Sequence, residues 1–226
     1  MTQPETEIRT AWRHIVGPAH DGYVDALLMR YAEVHRHYHT ATHIMFVLRH
    51  LHDMALQSAA QPSPEVVAAG LYHDAIYDPR VDNNEALSAM LAARDLAEIG
   101  WPTPRCDSVA AMIIATAGHL AEPADPAETG DDVGEASETA MLLDADLAIL
   151  GADPGAYQAY VNGVRAEYAH VDDDEWRTGR SLVLQHFLDR PRLFVTGYMY
   201  AAAEHRARAN IEAELAALSH RSAGNG

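Results

Sequence analysis

Ala68-Ala69-Gly70-Leu71-Tyr72-His73-Asp74-Ala75 is an apolar, helix-favouring run that carries a histidine and a carboxylate near its end. An ionised aspartate in such a run is costly to bury unless an opposite charge compensates it. A divalent cation would compensate it, and the chain holds further groups that can bind one. His43 stands 30 residues upstream, and Asp144-Ala145-Asp146 about 70 downstream. With either Asp144 or Asp146, the residues His43, His73 and Asp74 make a two-nitrogen, two-oxygen donor set suited to a metal ion.

Outward from that run the apolar spacing is helical nearly throughout, and no alternating stretch of useful length interrupts it. The periodicity predicts helices over about Glu5–Val16, Asp21–Glu33, Ala41–Gln57 and Pro64–Ala75, then over Asn83–Ile99 and Cys106–Gly118. After a break come Glu138–Gly151, Asp153–Val171, Asp173–Asp189 and Arg192–Ser219. Val24, Leu27, Leu28 and Tyr31 share one helical face, as do Ile44, Val47, Leu48 and Leu51. Thr40, Ser63 and Asp153 read as N-caps, the last two followed by a first-turn proline. Leu120–Ser137, rich in Pro, Gly, Asp and Glu, has the composition of a mobile acidic loop. Candidate ligands fall on both sides of it, so it reads as a loop within one all-α domain over residues 1–219, with 220–226 as a disordered tail.

Composition narrows the function classes. Sixteen basic against thirty-three acidic residues give a formal charge of −17, which argues against a nucleic acid polymer or an anionic membrane as partner. A small phosphorylated molecule stays open, because a bound metal reverses the local field. The single cysteine, Cys106, excludes a disulfide framework and a cysteine-rich zinc module. The polar, acidic N-terminus is unlike a signal peptide, and no apolar run approaches the roughly 20 residues of a membrane span. The expected compartment is the cytoplasm. The oligomeric state stays open, a homodimer among the options.

In order and context the donor residues resemble the HD-domain superfamily of metal-dependent phosphohydrolases. The words Arg36-His37-Tyr38-His39-Thr40-Ala41-Thr42-His43-Ile44, Tyr72-His73-Asp74-Ala75-Ile76-Tyr77-Asp78-Pro79, Asp82-Asn83-Asn84-Glu85 and Leu143-Asp144-Ala145-Asp146-Leu147 are similar to one bacterial branch of predicted hydrolases. The likeness extends to Arg165-Ala166-Glu167-Tyr168-Ala169 and Ala207-Arg208-Ala209-Asn210, and so covers most of the chain. It implies a helical bundle whose metal is held by His43, His73, Asp74 and the aspartate that follows a small residue. That favours Asp146, with Asp144 as the alternative or as a hydrogen-bond partner of a ligand histidine.

Around this set, Asp74, Asp78 and Glu85 are candidates for general base or proton shuttle. Asp78 before Pro79 reads equally as a turn cap, and Glu85 as a first-turn acid. Arg36, His39, His119, Arg165 and Tyr168 are candidate substrate contacts. For each a plain structural role stands beside the functional one: a surface arginine at position 36, a helix-end histidine at 119, an ion-paired Arg165. The expected reaction is hydrolysis of a small phosphate ester, a nucleotide among the options, by water activated on Mn, Fe, Co, Ni, Zn or Mg. The alternatives are a di-iron oxygenase on the same fold, which needs further ligands, and a non-catalytic sensor that keeps the metal or a nucleotide bound.

Overall fold

In a computed structural model the described residues are 1–57, 59–117 and 137–222, and all regular structure among them is helical. The elements are α1 (Gln3–Val16), α2 (Asp21–Arg30), α3 (Ala41–Gln57), α4 (Pro64–Tyr72), α5 (Asn84–Ile99), α6 (Thr103–Thr116), α7 (Glu138–Leu147), α8 (Pro154–Glu167), α9 (Asp173–Asp189) and α10 (Gly197–Ser222). Short 3-10 turns at Pro18–His20 and Ala148–Gly151 precede α2 and follow α7. The all-α expectation therefore holds. The acidic stretch 120–136 and the tail residues 223–226 lie outside the described residues.

The caps explain most starts. Ser63 accepts from the Val66 amide, and Asp153 from the amides of Gly155 and Ala156, each with proline in the first turn. Thr40 accepts from the Thr42 amide and so opens α3. Several ends differ from the periodicity. α6 begins at Thr103, because Pro104 is tolerated in a first turn and apolar periodicity is a poor guide there. α2 stops at Arg30 and α8 at Glu167, both earlier than expected, and α7 tightens into its 3-10 turn after Leu147.

The largest difference is at α10, which starts at Gly197 rather than Arg192 and runs past Ser219 to Ser222. The amides of Leu193 and Phe194 are taken by the Glu204 carboxylate, and those of Val195 and Thr196 by Asp144. Side-chain acids thus satisfy four successive amides of a segment that stays outside the helix.

The buried side chains, from Ile8 and Trp12 through Tyr72 and Ile113 to Phe194 and Ile211, form one core cluster. α3, α4 and α7 pack against one another in every pairing, α1 lies across α3 and α4, and α5 and α6 form a hairpin against α4. A Cβ on Gly70 would stand 3.1 Å from Leu51 Cδ1. The bare glycine therefore lets α4 lie close on α3, the contact that sets His73 beside His43.

Candidate metal centre

His43 sits in the first turn of α3, Asp146 near the end of α7, and His73 at the C-cap of α4. The expected helix through Ala75 would have aimed His73 and Asp74 about 100° apart. Instead α4 ends at Tyr72 and Asp74 falls in the following turn, where the Ala75 amide bonds the Tyr72 carbonyl. Release from the helix lets both side chains turn to one point.

There the four donors converge. The His43 Nε2 is 3.1 Å from His73 Nε2, 3.3 Å from Asp74 Oδ2 and 3.2 Å from Asp146 Oδ1. The His73 Nε2 lies 3.2 Å from Asp74 Oδ2 and 3.5 Å from Asp146 Oδ1. All four donor atoms fall within 4.8 Å of one another. Ligands at about 2.1 Å from a common ion stand about 3.4 Å apart in a tetrahedron and about 3.0 Å in an octahedron. The donor set therefore fits one divalent ion in both spacing and chemistry.

Second contacts prepare the ligands. His73 Nδ1 lies 3.0 Å from the Gly70 carbonyl, to which it can only donate, so the neutral ring keeps its lone pair on Nε2. Burial lowers the affinity of the His43 and His73 rings for protons, but Asp146 and Asp74 outweigh it and raise both above the usual imidazole value. Burial likewise raises Asp74, yet the neighbouring histidines, His73 foremost, hold it well below the usual carboxylate range. The field of the two carboxylates thus favours positive charge at the centre. The histidine side chains are 1% exposed, those of Asp74 and Asp146 17% and 19%. The centre opens to solvent on its carboxylate side.

Asp144 does not join this set. It is wholly buried, and its oxygens take the Val195 and Thr196 amides at 2.8 and 2.7 Å. It ties α7 to the segment before α10, two residues from the ligand it was weighed against.

Arg36 is a correction. Its side chain has no exposure, and the guanidinium bonds Glu33 and the carbonyls of His39, Asp74 and Ala75 at 2.7–3.2 Å. It lies against the rings of Tyr31 and Tyr77. Neither a surface residue nor a phosphate contact, it clamps the Asp74 turn to the loop before α3.

His39 does stand at the centre, its ring 5.7 Å from that of His43 and 4.2 Å from that of Tyr77. Its Nδ1 bonds Glu167 Oε2 at 2.7 Å, as does the Tyr77 hydroxyl at 3.0 Å. The other oxygen, Oε1, accepts the successive amides of His37, Tyr38 and His39 at 2.8, 2.7 and 3.0 Å. Burial alone would raise Glu167, but these donors, the His39 ring first, hold it down at about 2. Within the word Arg165-Ala166-Glu167-Tyr168-Ala169, Glu167 had no role assigned. Its signal was an acid continuing the buried stripe of Tyr157 and Val164 on α8. Gly163 belongs to the same arrangement, since a Cβ there would meet Tyr38 Cβ at 3.0 Å.

Two of the remaining candidates, Asp78 and Arg165, are occupied by turns. Asp78 accepts from the Arg80 amide within a turn closed by Asn84, which is its structural reading. Glu85 stands in the first turn of α5. Arg165 bonds the carbonyls of Tyr168 and Val171 and the Asp173 carboxylate, closing the turn into α9. Tyr168 packs on His170 and Trp176. His119 lies outside the described residues. No helix of the described residues is long and apolar enough to cross a membrane. No family model, curated protein or solved structure matches the chain.

Proposed function

We propose that the chain is a metal-dependent hydrolase of small phosphate esters, with a ligand set of the HD-domain kind. The convergence of His43, His73, Asp74 and Asp146 on one point carries the reading. An ion held there supplies Lewis acidity to a phosphoryl oxygen and acidifies a coordinated water. Mixed nitrogen and oxygen ligation suits Mn, Fe, Co, Ni or Zn better than Mg.

The chain's own groups divide the remaining work. Substrate approaches on the carboxylate side, where Asp74 and Asp146 keep some exposure. Asp74 stays ionised and so remains an anionic donor to the ion. His39, its ring fixed by Glu167 through Nδ1, can donate from Nε2 to a phosphoryl oxygen only with both ring nitrogens protonated. Arg36 keeps the Asp74 turn in place by binding its carbonyl.

The test is metal analysis of protein purified without chelators, followed by a phosphatase and nucleotidase panel with each divalent metal. One ion per chain and turnover lost in His73→Ala and Asp74→Ala are expected. A panel without metal-dependent turnover refutes the hydrolase.

A further inference from the structure

The chain contains no lysine, so all 16 basic side chains are arginines. Those on the elements around the centre are committed to the protein itself. Arg36 makes four bonds to Glu33 and three carbonyls, Arg165 binds two carbonyls and Asp173, and Arg49 on α3 pairs with Glu7. Arg180, reaching Tyr160 from α9, is buried on Glu214, whereas Arg80 is 61% exposed and stands 3.5 Å from Asp78. α7 has no basic residue.

Resting on the hydrolase reading above, we infer that the centre takes phosphate esters with a single negative charge, phosphodiesters, in preference to phosphomonoesters and polyphosphates. Two ionised aspartates cancel the formal charge of a divalent ion, so the ligand set leaves no surplus to neutralise a dianion. Sites for multiply charged phosphates supply that surplus with guanidinium forks or ammonium groups. Here the other contributions are the His39 ring and the N-terminal turn of α3, whose dipole equals roughly half a charge. His39 Nε2 has no hydrogen-bond partner among the described residues, and with both ring nitrogens protonated it would donate to one phosphoryl oxygen. A chain of formal charge −17 repels polyanions at longer range as well.

The step balances without a further reactant. Water adds to phosphorus, one P–O ester bond breaks, one of the water's protons leaves with the alcohol and the other passes to solvent as the monoester ionises. The phosphomonoester product is a dianion, which the same shortage of cations releases.

The test uses metal-loaded full-length protein and matched pairs. Bis(4-nitrophenyl) phosphate and 4-nitrophenyl phosphate share a leaving group and differ by one charge. A non-hydrolysable thymidine 5′-methylenephosphonate and its monomethyl ester make the same comparison in calorimetric binding. At about 20 mM salt the monoanion of each pair should win by roughly tenfold, in kcat/KM and in Kd. The gap should narrow towards about 300 mM as repulsion of the dianion is screened. A dianion bound equally well or better, with affinity falling as salt rises, overturns the inference while turnover upholds the hydrolase. If metal binds but no ester is bound or cleaved, the hydrolase reading fails and takes this inference with it.

Discussion

Glu167→Gln isolates the group that builds the wall beside the metal centre. The carboxylate receives three backbone amides on one oxygen and His39 and Tyr77 on the other. A glutamine oxygen can replace Oε1, but its NH2 would then face two donors. Two buried donors left without acceptors cost about 1–3 kcal/mol each. The proton linkage gives a similar size. A pKa near 2 in the fold against 4.5 as the usual value is worth about 3 kcal/mol at neutral pH. Because the folded value is the lower one, this stabilisation is complete above about pH 4.5 and is lost as pH falls towards 2. Urea unfolding at pH 7 should therefore place the variant about 3 kcal/mol below the parent. The difference should shrink as the pH is lowered from about 5 towards 2, since the parent alone loses this contribution. Metal affinity should change little, because none of the four ligands depends on Glu167 for its donor atom. A variant as stable as the parent at pH 7, or one whose deficit is the same at pH 7 and pH 3, refutes the assignment.

Asp144→Asn and Asp146→Asn should separate two neighbouring acids. Calorimetry should show metal affinity reduced at least about tenfold in the second only, while the first lowers stability by about 2 kcal/mol. Divalent metal at a hundredfold excess over Kd should stabilise the parent by about 2.7 kcal/mol, read as a raised melting temperature, and His43→Ala should abolish the shift. Arg36→Met leaves the carbonyls of His39, Asp74 and Ala75 without their donor; chemical denaturation should reveal a loss of about 3 kcal/mol or more. Gly163→Ala crowds Tyr38 and should displace the His39 loop, visible as changed histidine resonances in NMR spectra with α8 still helical by circular dichroism.

The helical class, most element positions and the identity of the four converging side chains were legible in the sequence because each has a local or chemical signature. Apolar periodicity marks a helix without knowledge of its neighbours. Ser63 and Asp153 mark helix starts because capping is settled within four residues. A His-Asp pair in an apolar run advertises itself because burial of charge is expensive anywhere in a fold. Helix ends were less legible. The segment Leu193–Thr196 stays out of α10 because its amides meet Glu204 and Asp144, one of them about 50 residues away.

Side-chain roles at the site divide the same way. Periodicity and burial treat Asp144 and Asp146 alike, since both lie on α7 and both are at least partly buried; the word Ala145-Asp146 favoured Asp146 only through the resemblance. Only the packing of α7 against α3 and against the approach to α10 sends one to the metal centre and the other to two backbone amides. Arg36 and Arg165 looked available for phosphate because a sequence shows a guanidinium but not the carbonyls that saturate it. Glu167 had no role assigned because its donors come from residues about 130 positions earlier. The sequence by itself determined an all-helical chain with two imidazoles and two carboxylates suited to one cation, through periodicity and the cost of buried charge. The tertiary structure alone decided which groups meet and which are already spent, because hydrogen-bond saturation depends on residues distant in the chain.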